Sequence, residues 1–459
     1  MSDDTTTPGR SRFWPDYRTL WRWHFYAGLL CIPFVIVLSL SGSVYLFKPQ
    51  VERWLDRAYD GHDVAAGRGL PSAHVQAALA AVPHGTFSGI ELPVAEGDAA
   101  RVLVAGDQGT QRVYVHPTSH EVLHQVAEDQ RLMRQMFRLH GELWMGDRGS
   151  NLVEIASCWT IVLILTGLLL WWPRGGLGAA GVLYPRLGRG QRVFWRDLHA
   201  VTGLWISVLV LFLLFTGLPW AKFWGGYFKQ VRQWTGTAVA RQDWPSGSPR
   251  PNRGGHSEHG GGGRNHHADA PPPDLTALDR IVAAAMPLNL PPPTVINPPS
   301  KPGGEWTVVC NTQNRPQRQT LHLDADTAEI RRRETFDKKH WIDRVVGTCI
   351  AAHEGQLFGW ANQLLGLGAA IGLIVVCLSA VVLWWRRREP GTLGAPLPLV
   401  SVRGTAGLLG VLALLTVLLP LFGASLLVVL LLERLVLRRF AGVSRWLGLG
   451  PVATPRVAG

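Results

Sequence analysis

Two nine-residue stretches, each centred on a histidine, decide the fold of this 459-residue chain. Residues 21–29 read WRWHFYAGL, and residues 196–204 read RDLHAVTGL. Each stretch opens a long apolar run, so that His24 and His199 occupy equivalent places 175 residues apart. Self-similarity at a fixed spacing is the sequence sign of a duplicated architecture.

A second pair of matching segments closes each half. Residues 139–143 read LHGEL and 352–357 read AHEGQL, which places His140 and His353 213 residues apart. The spacing grows because a stretch rich in His, Gly and Pro, residues 241–273, is inserted in the second half. The sequence therefore predicts two repeats, each made of a span, a small α+β domain and a second span.

The apolar runs are long enough to cross a bilayer, which takes roughly 20 residues per helix. Four runs qualify, at about 25–47, 152–172, 202–220 and 364–385. A fifth, at about 405–432, contains Pro420 and Gly423 and is either one kinked helix or a short hairpin. Charged residues make up 17% of the chain, against about 25% in soluble domains, which excludes a single soluble globule.

We therefore predict an α-helical membrane protein with four core transmembrane helices in two repeats, two outward α+β domains and a C-terminal hydrophobic helical segment. The predicted segments are a tail at 1–20, spans at 21–47, 139–173, 196–220 and 351–387, domains at 48–138 and 221–350, a basic loop at 174–195, a linker at 388–404, the C-terminal segment at 405–437 and a tail at 438–459.

Arginines predict the orientation. They cluster before the first span, between the second and third, and after the fourth, and such short basic segments lie on the cytoplasmic side. The N-terminus is then cytoplasmic, and the two long loops face outward. This clustering also accounts for the net charge of +12, so the partner it indicates is the lipid bilayer and no nucleic acid.

The four histidines predict a cofactor. If the repeats are related by a two-fold axis along the membrane normal, His24 approaches His199 on the inner side and His140 approaches His353 on the outer side. Two facing imidazoles are suitable axial ligands for a haem iron. No C-x-x-C-H motif occurs, so we expect haem b, two per chain, with one haem, another metal or no cofactor as the alternatives. Arg22, Arg192 and Arg196 are candidates for contacts with the haem propionates.

Other histidines carry weaker predictions. His256, His259, His266 and His267 in the inserted stretch are weak candidates for a metal site. His340 is an alternative outer ligand, although the first half has no counterpart.

These motifs, together with LTGLLLWWPR at 165–174 and HEGQLFG at 353–359, resemble the PepSY-associated transmembrane family. The resemblance implies a bacterial inner-membrane protein whose two outer loops are PepSY-like periplasmic domains. Several members resemble ferric-siderophore reductases that carry haem between paired histidines, and these ligands would fall on His24, His199, His140 and His353.

The leading expectation is an oxidoreductase that passes electrons to a periplasmic ferric siderophore or another ferric chelate. The sequence has no G-x-G-x-x-G unit between a strand and a helix, so a quinol or a separate cytoplasmic reductase would supply the electrons. Two alternatives stay open: a non-enzymatic protein that binds or regulates a periplasmic partner, and a transporter of metal or small molecules.

Overall fold

The computed structural model describes residues 17–65, 67–172, 179–238, 274–301, 303–396 and 406–449. They form two compact units. The membrane unit comprises 17–40, 151–218 and 368–449, and the sheet unit comprises 41–150 and 219–367, within those described ranges.

Five helices in the described residues are long and apolar enough to cross a membrane. Four correspond to the predicted core spans, namely α1 (Tyr17–Leu46), α5 (Asp147–Trp171), α6 (Gln191–Gly217) and α10 (Trp360–Arg387). The chain is thus a helical membrane protein, as its uninterrupted apolar runs predict.

The second and fourth predicted spans are each divided into two helices. The chain over 139–173 forms the end of α4 (Leu132–Glu142) and then α5, because Leu143, Trp144 and Gly146 have positive φ angles that end the first helix. Over 351–387, α9 (Trp341–His353) is separated from α10 by Gly355 and Gly359, both with positive φ. His140 and His353 therefore lie at the ends of short helices rather than within the spans.

The C-terminal apolar stretch is also divided. Helix α11 (Ala406–Leu418) and helix α12 (Pro420–Leu435) are separated at Leu419, since Pro420 has no amide hydrogen to continue the first helix. A Cβ on Gly423 would lie 2.3 Å from the Thr416 side chain, so the bend is tight. Helix α12 contacts α5, where the Trp159 indole donates to Ser425 Oγ.

The remaining helices are short. They are α2 (Lys48–Asp56), α3 (Pro71–Ala81), α7 (Lys222–Trp234), α8 (Leu275–Ala285) and α13 (Ala441–Leu447).

The sheet unit contains one eight-stranded antiparallel sheet of order β4-β3-β2-β1-β5-β6-β7-β8. Its strands are β1 (Thr86–Glu91), β2 (Ala100–Gly106), β3 (Gly109–Val115), β4 (Val122–Ala127), β5 (Thr294–Asn297), β6 (Trp306–Cys310), β7 (Gln319–Leu323) and β8 (Ile330–Thr335). Each predicted α+β domain supplies a helix and four strands. The two halves join where Ile90 pairs with Ile296, which satisfies two strand edges that separate domains would expose.

Helices α3 and α8 cover one face of the sheet. Val75, Leu278, Ile281 and Trp306 are almost fully buried in this core. Beside it, Arg101 of β2 pairs with Asp56, the last residue of α2, at 3.5 Å, and Glu52 of α2 pairs with Arg131, the residue before α4, at 3.2 Å. The sheet is thereby linked to the short helix that carries His140.

Candidate functional site: two histidine pairs

His24 and His199 face each other in the membrane unit. Their ring centres are 6.3 Å apart and their planes are nearly perpendicular, at 89°. His24 lies in the second turn of α1, and His199 lies in the third turn of α6.

Neighbouring spans hold the orientation of these rings. The Thr166 hydroxyl on α5 donates to the Val162 carbonyl at 2.7 Å, so its oxygen accepts from His24 Nδ1 at 3.0 Å. His199 Nδ1 donates to the Val376 carbonyl at 3.0 Å, with Ser379 Oγ at 3.3 Å, both on α10. A protonated Nδ1 leaves the lone pair on Nε2, which is the arrangement that a metal-binding imidazole uses.

His140 and His353 face each other in the sheet unit. Their ring centres are 6.4 Å apart and their planes meet at 78°. Ser41 Oγ lies 3.2 Å from His140 Nδ1, and the Trp220 ring meets the His353 ring edge-on at 6.0 Å. The same motif thus occurs at the other end of α1, since Ser41 belongs to its last turns.

Two glycines make room for the imidazoles. A Cβ on Gly42 would lie 3.0 Å from His140 Cε1, and a Cβ on Gly167 would lie 3.2 Å from His24 Cε1. Each glycine follows the hydroxyl residue that contacts the same ring. Ser41-Gly42 and Thr166-Gly167 are therefore local units that position one histidine each.

Both pairs have the spacing of two imidazoles that share one metal ion. A metal lies about 2 Å from an imidazole nitrogen, and a ring centre lies roughly 1.2 Å beyond it, so two opposed rings have centres about 6.4 Å apart. Among the described residues no group of three or more His, Cys, Asp or Glu side chains is arranged to hold a metal ion. The pairs fit an ion whose other ligands come from a macrocycle, as in haem.

The three candidate arginines have different surroundings. Arg22 donates to the Pro396 and Gly448 carbonyls at 2.9 and 2.8 Å, and Arg196 pairs with Asp197 at 2.8 Å. Arg192 has no ion pair or hydrogen bond with any described residue. Only Arg192 thus keeps its guanidinium for a bound carboxylate.

Sequence reasoning missed several residues around the pairs. Asp197, 1% exposed, accepts two hydrogen bonds from Arg186 at 2.7 and 3.0 Å and holds the preceding loop on α6. Ser379 was also missed, although the 213-residue offset that relates His140 to His353 relates Thr166 to it. That offset was the available signal.

Near the His140–His353 pair, one buried cation was not anticipated either. The guanidinium of Arg315, which is fully buried, lies 5.8 Å from the centre of the Trp220 ring that contacts His353. Glu354, beside His353, is also buried. The sequence gives no signal for Arg315, because it belongs to a connection between strands β6 and β7.

The weaker candidates lie elsewhere. His340 caps helix α9, where its Nδ1 accepts from the Ile342 amide at 3.3 Å. The histidines His256, His259, His266 and His267 lie outside the described residues.

The chain was compared with known proteins. The search of curated proteins gave no match. The family model described as PepSY-associated TM region matches residues 21–387, which include all four paired histidines and both halves of the sheet. The chain therefore belongs to the family of proteins with a PepSY-associated TM region.

Proposed function

We propose that this membrane protein transfers electrons, with one haem b at each histidine pair, and reduces a ferric chelate on the periplasmic side. The observation that carries the proposal is the matched spacing of the two pairs, 6.3 and 6.4 Å between ring centres. Bound haem supplies a one-electron Fe(III)/Fe(II) couple.

The residues of the chain do three things for this couple. His24, His199, His140 and His353 would hold the haem iron through a ring nitrogen. Thr166, Ser41 and the Val376 carbonyl fix the ring orientations through Nδ1. The apolar spans exclude water around the His24–His199 pair, which favours electron transfer over reaction with solvent.

The chemistry of the substrate follows from ligand hardness. Siderophores bind Fe(III) through hard oxygen donors, and one added electron gives Fe(II), whose lower charge weakens those bonds. One electron per chelate therefore suffices to release iron. The arginine clusters support an orientation in which the His140–His353 pair faces the periplasm of a bacterial inner membrane.

The test begins with the absorption spectrum of the purified full chain from haem-replete cells. We expect a low-spin spectrum with two axial imidazoles, about two haems per chain, and bands that dithionite reduces. The near-perpendicular ring planes predict a ferric EPR signal of the strongly anisotropic type. Colourless, correctly folded protein would contradict the proposal.

The substrate is tested separately. Dithionite-reduced protein, freed of excess reductant, is mixed with a ferric siderophore, and re-oxidation of the haem bands is recorded. The control is the same siderophore loaded with Ga(III), which has the size and charge of Fe(III) but accepts no electron. Haem that stays reduced with both complexes would exclude ferric siderophores as substrates.

A further inference from the structure

Two arginines of the membrane unit, Arg192 on α6 and Arg387 on α10, have no carboxylate partner among the described residues. The Arg387 guanidinium on α10 lies over the Trp21 ring at 4.5 Å and the Phe25 ring at 5.4 Å, both on α1. It donates to the Gly394 carbonyl at 3.0 Å. The preceding residue, Arg386, donates to the Oε1 atom of Gln191 at 2.7 Å, and Gln191 directly precedes Arg192 in α6, so the end of α10 lies beside the start of α6.

The surrounding arginines differ from these two. Arg186 and Arg196 pair with Asp197, Arg386 donates to Gln191 Oε1 at 2.7 Å, and Arg388 lies over the Trp385 ring at 4.3 Å. In the described part of the chain, neither Arg192 nor Arg387 pairs with a carboxylate. Two cations on adjacent helix ends repel each other, and an anion bound by both would offset that repulsion.

Both arginines lie near the histidines of the His24–His199 pair. Arg192 precedes His199 by seven residues, which is two helical turns, so it lies on the same face of α6 about 10.5 Å along the axis. Arg387 packs on Trp21 and Phe25, the residues that flank His24 in α1. Arg192 therefore lies about two turns from His199 along α6, and Arg387 packs on side chains one residue after and three residues before His24.

We propose that Arg192 and Arg387 form a binding site for the two propionate carboxylates of the haem at His24 and His199, a site that rests on the proposed function. Haem carries both carboxylates on one edge of the macrocycle, and the guanidinium group binds a carboxylate through two parallel hydrogen bonds. Arginine suits this place better than lysine, because its planar group also stacks on Trp21 and Phe25.

The test is a spectroscopic redox titration of the full-length protein and its Arg192→Gln and Arg387→Gln variants. A propionate left unneutralised stabilises the ferric haem, so one midpoint potential falls while the other stays. We expect the ferrous-to-ferric ratio of that haem at a fixed potential to fall about tenfold. For a one-electron couple, this corresponds to a midpoint potential that is lower by about 59 mV. The matched controls are Arg386→Gln and Arg388→Gln, which remove the same charge from adjacent positions and leave both midpoints unchanged.

The same substitution in a variant that lacks the other haem shows which haem has the altered midpoint potential. In His353→Ala, which lacks the other haem, Arg387→Gln should still lower the remaining midpoint. Arg387→Lys keeps the positive charge but loses the two parallel hydrogen bonds of the guanidinium group. We therefore expect a smaller decrease in the same midpoint potential. This variant keeps the test valid if Arg387→Gln does not fold.

The outcomes separate the two proposals. Wild-type protein without haem contradicts the proposed function itself. Wild-type protein with two haems, whose midpoints respond equally to Arg387→Gln and Arg386→Gln, overturns the propionate site alone. Loss of co-purified anionic phospholipid from Arg192→Gln and Arg387→Gln, with both midpoints unchanged, also overturns it and assigns the site to a lipid phosphate.

Discussion

The two histidine pairs have almost the same geometry, but different kinds of structure hold it. His24 and His199 belong to long apolar helices, and their Nδ1 partners lie on two further spans. His140 and His353 end the short helices α4 and α9, next to residues with positive φ angles. The first pair is thus positioned by helix packing, whereas the second depends on the local geometry of two helix ends.

This difference indicates how each pair connects to the rest of its unit. The membrane-unit pair lies among helices whose register is set by uniform apolar packing. The pair in the sheet unit is joined to the sheet through α4 and α2, by way of the Arg131–Glu52 and Arg101–Asp56 ion pairs. Changes in the sheet are therefore expected to reach the His140–His353 pair first.

The largest expected effect comes from removing one histidine of each pair. His24→Ala and His140→Ala should each reduce the haem content from about two per chain to about one, because the haem at that pair has no covalent attachment and loses one of the two imidazoles that would hold it. The measurement is haem absorbance after extraction, relative to protein concentration. His340→Ala is the control and should keep both haems, since His340 caps α9.

Two haem contents would contradict this prediction. If His24→Ala and His140→Ala lost both haems together, the two pairs would not be independent sites. If either kept two haems with an unchanged low-spin spectrum, that histidine would not be a haem ligand.

A smaller effect is expected from the two glycines that make room for the rings. Gly42→Ala brings a Cβ to 3.0 Å from His140, and Gly167→Ala brings one to 3.2 Å from His24. Overpacking of this kind costs roughly 1–3 kcal/mol, so each variant should release haem from its own pair about 10- to 100-fold faster. The measurement is the rate of haem transfer to apomyoglobin.

The chain offers matched controls for both glycines. A Cβ on Gly141, beside His140, or on Gly203, one turn after His199, meets nothing within 4 Å. Gly141→Ala and Gly203→Ala should release haem at the wild-type rate. Equal rates for Gly42→Ala and Gly141→Ala would show that the close approach to His140 does not constrain its ring.

The sequence predicts part of this arrangement and not the rest. Apolar runs and equal offsets predict the four core spans and the partners His24–His199 and His140–His353, which the structure brings together. The helix ends at Leu143 and Trp144 were not predictable, because neither residue type favours a left-handed conformation. The joining of the two half-sheets through β1 and β5 was also missed, since strand pairing between distant segments depends on tertiary contacts.

The smallest expected effect concerns the hydrogen bonds to Nδ1. Thr166→Val keeps the shape of the side chain but removes the hydrogen-bond acceptor for His24 Nδ1. The imidazole then becomes less basic, and a less basic imidazole stabilises ferric iron less. One midpoint potential should therefore rise, by less than the equivalent of a tenfold change in the ferrous-to-ferric ratio. This direction is opposite to the one expected for Arg387→Gln at the same pair. The measurement is again a spectroscopic redox titration, and Thr160→Val is the control, because Thr160 donates to the Ala156 carbonyl on the same helix.

Ser41→Ala applies the same change to the other pair, and only the other midpoint should move. If Thr166→Val and Thr160→Val gave identical midpoints, Thr166 would have no electronic effect on its histidine. Movement of both midpoints by either Thr166→Val or Ser41→Ala would mean that the substitution disturbs the fold as a whole. If each substitution changes only one of the two midpoint potentials, the histidine pairs are separate sites with locally fixed ring orientations. We expect this result because each hydroxyl group contacts a single ring.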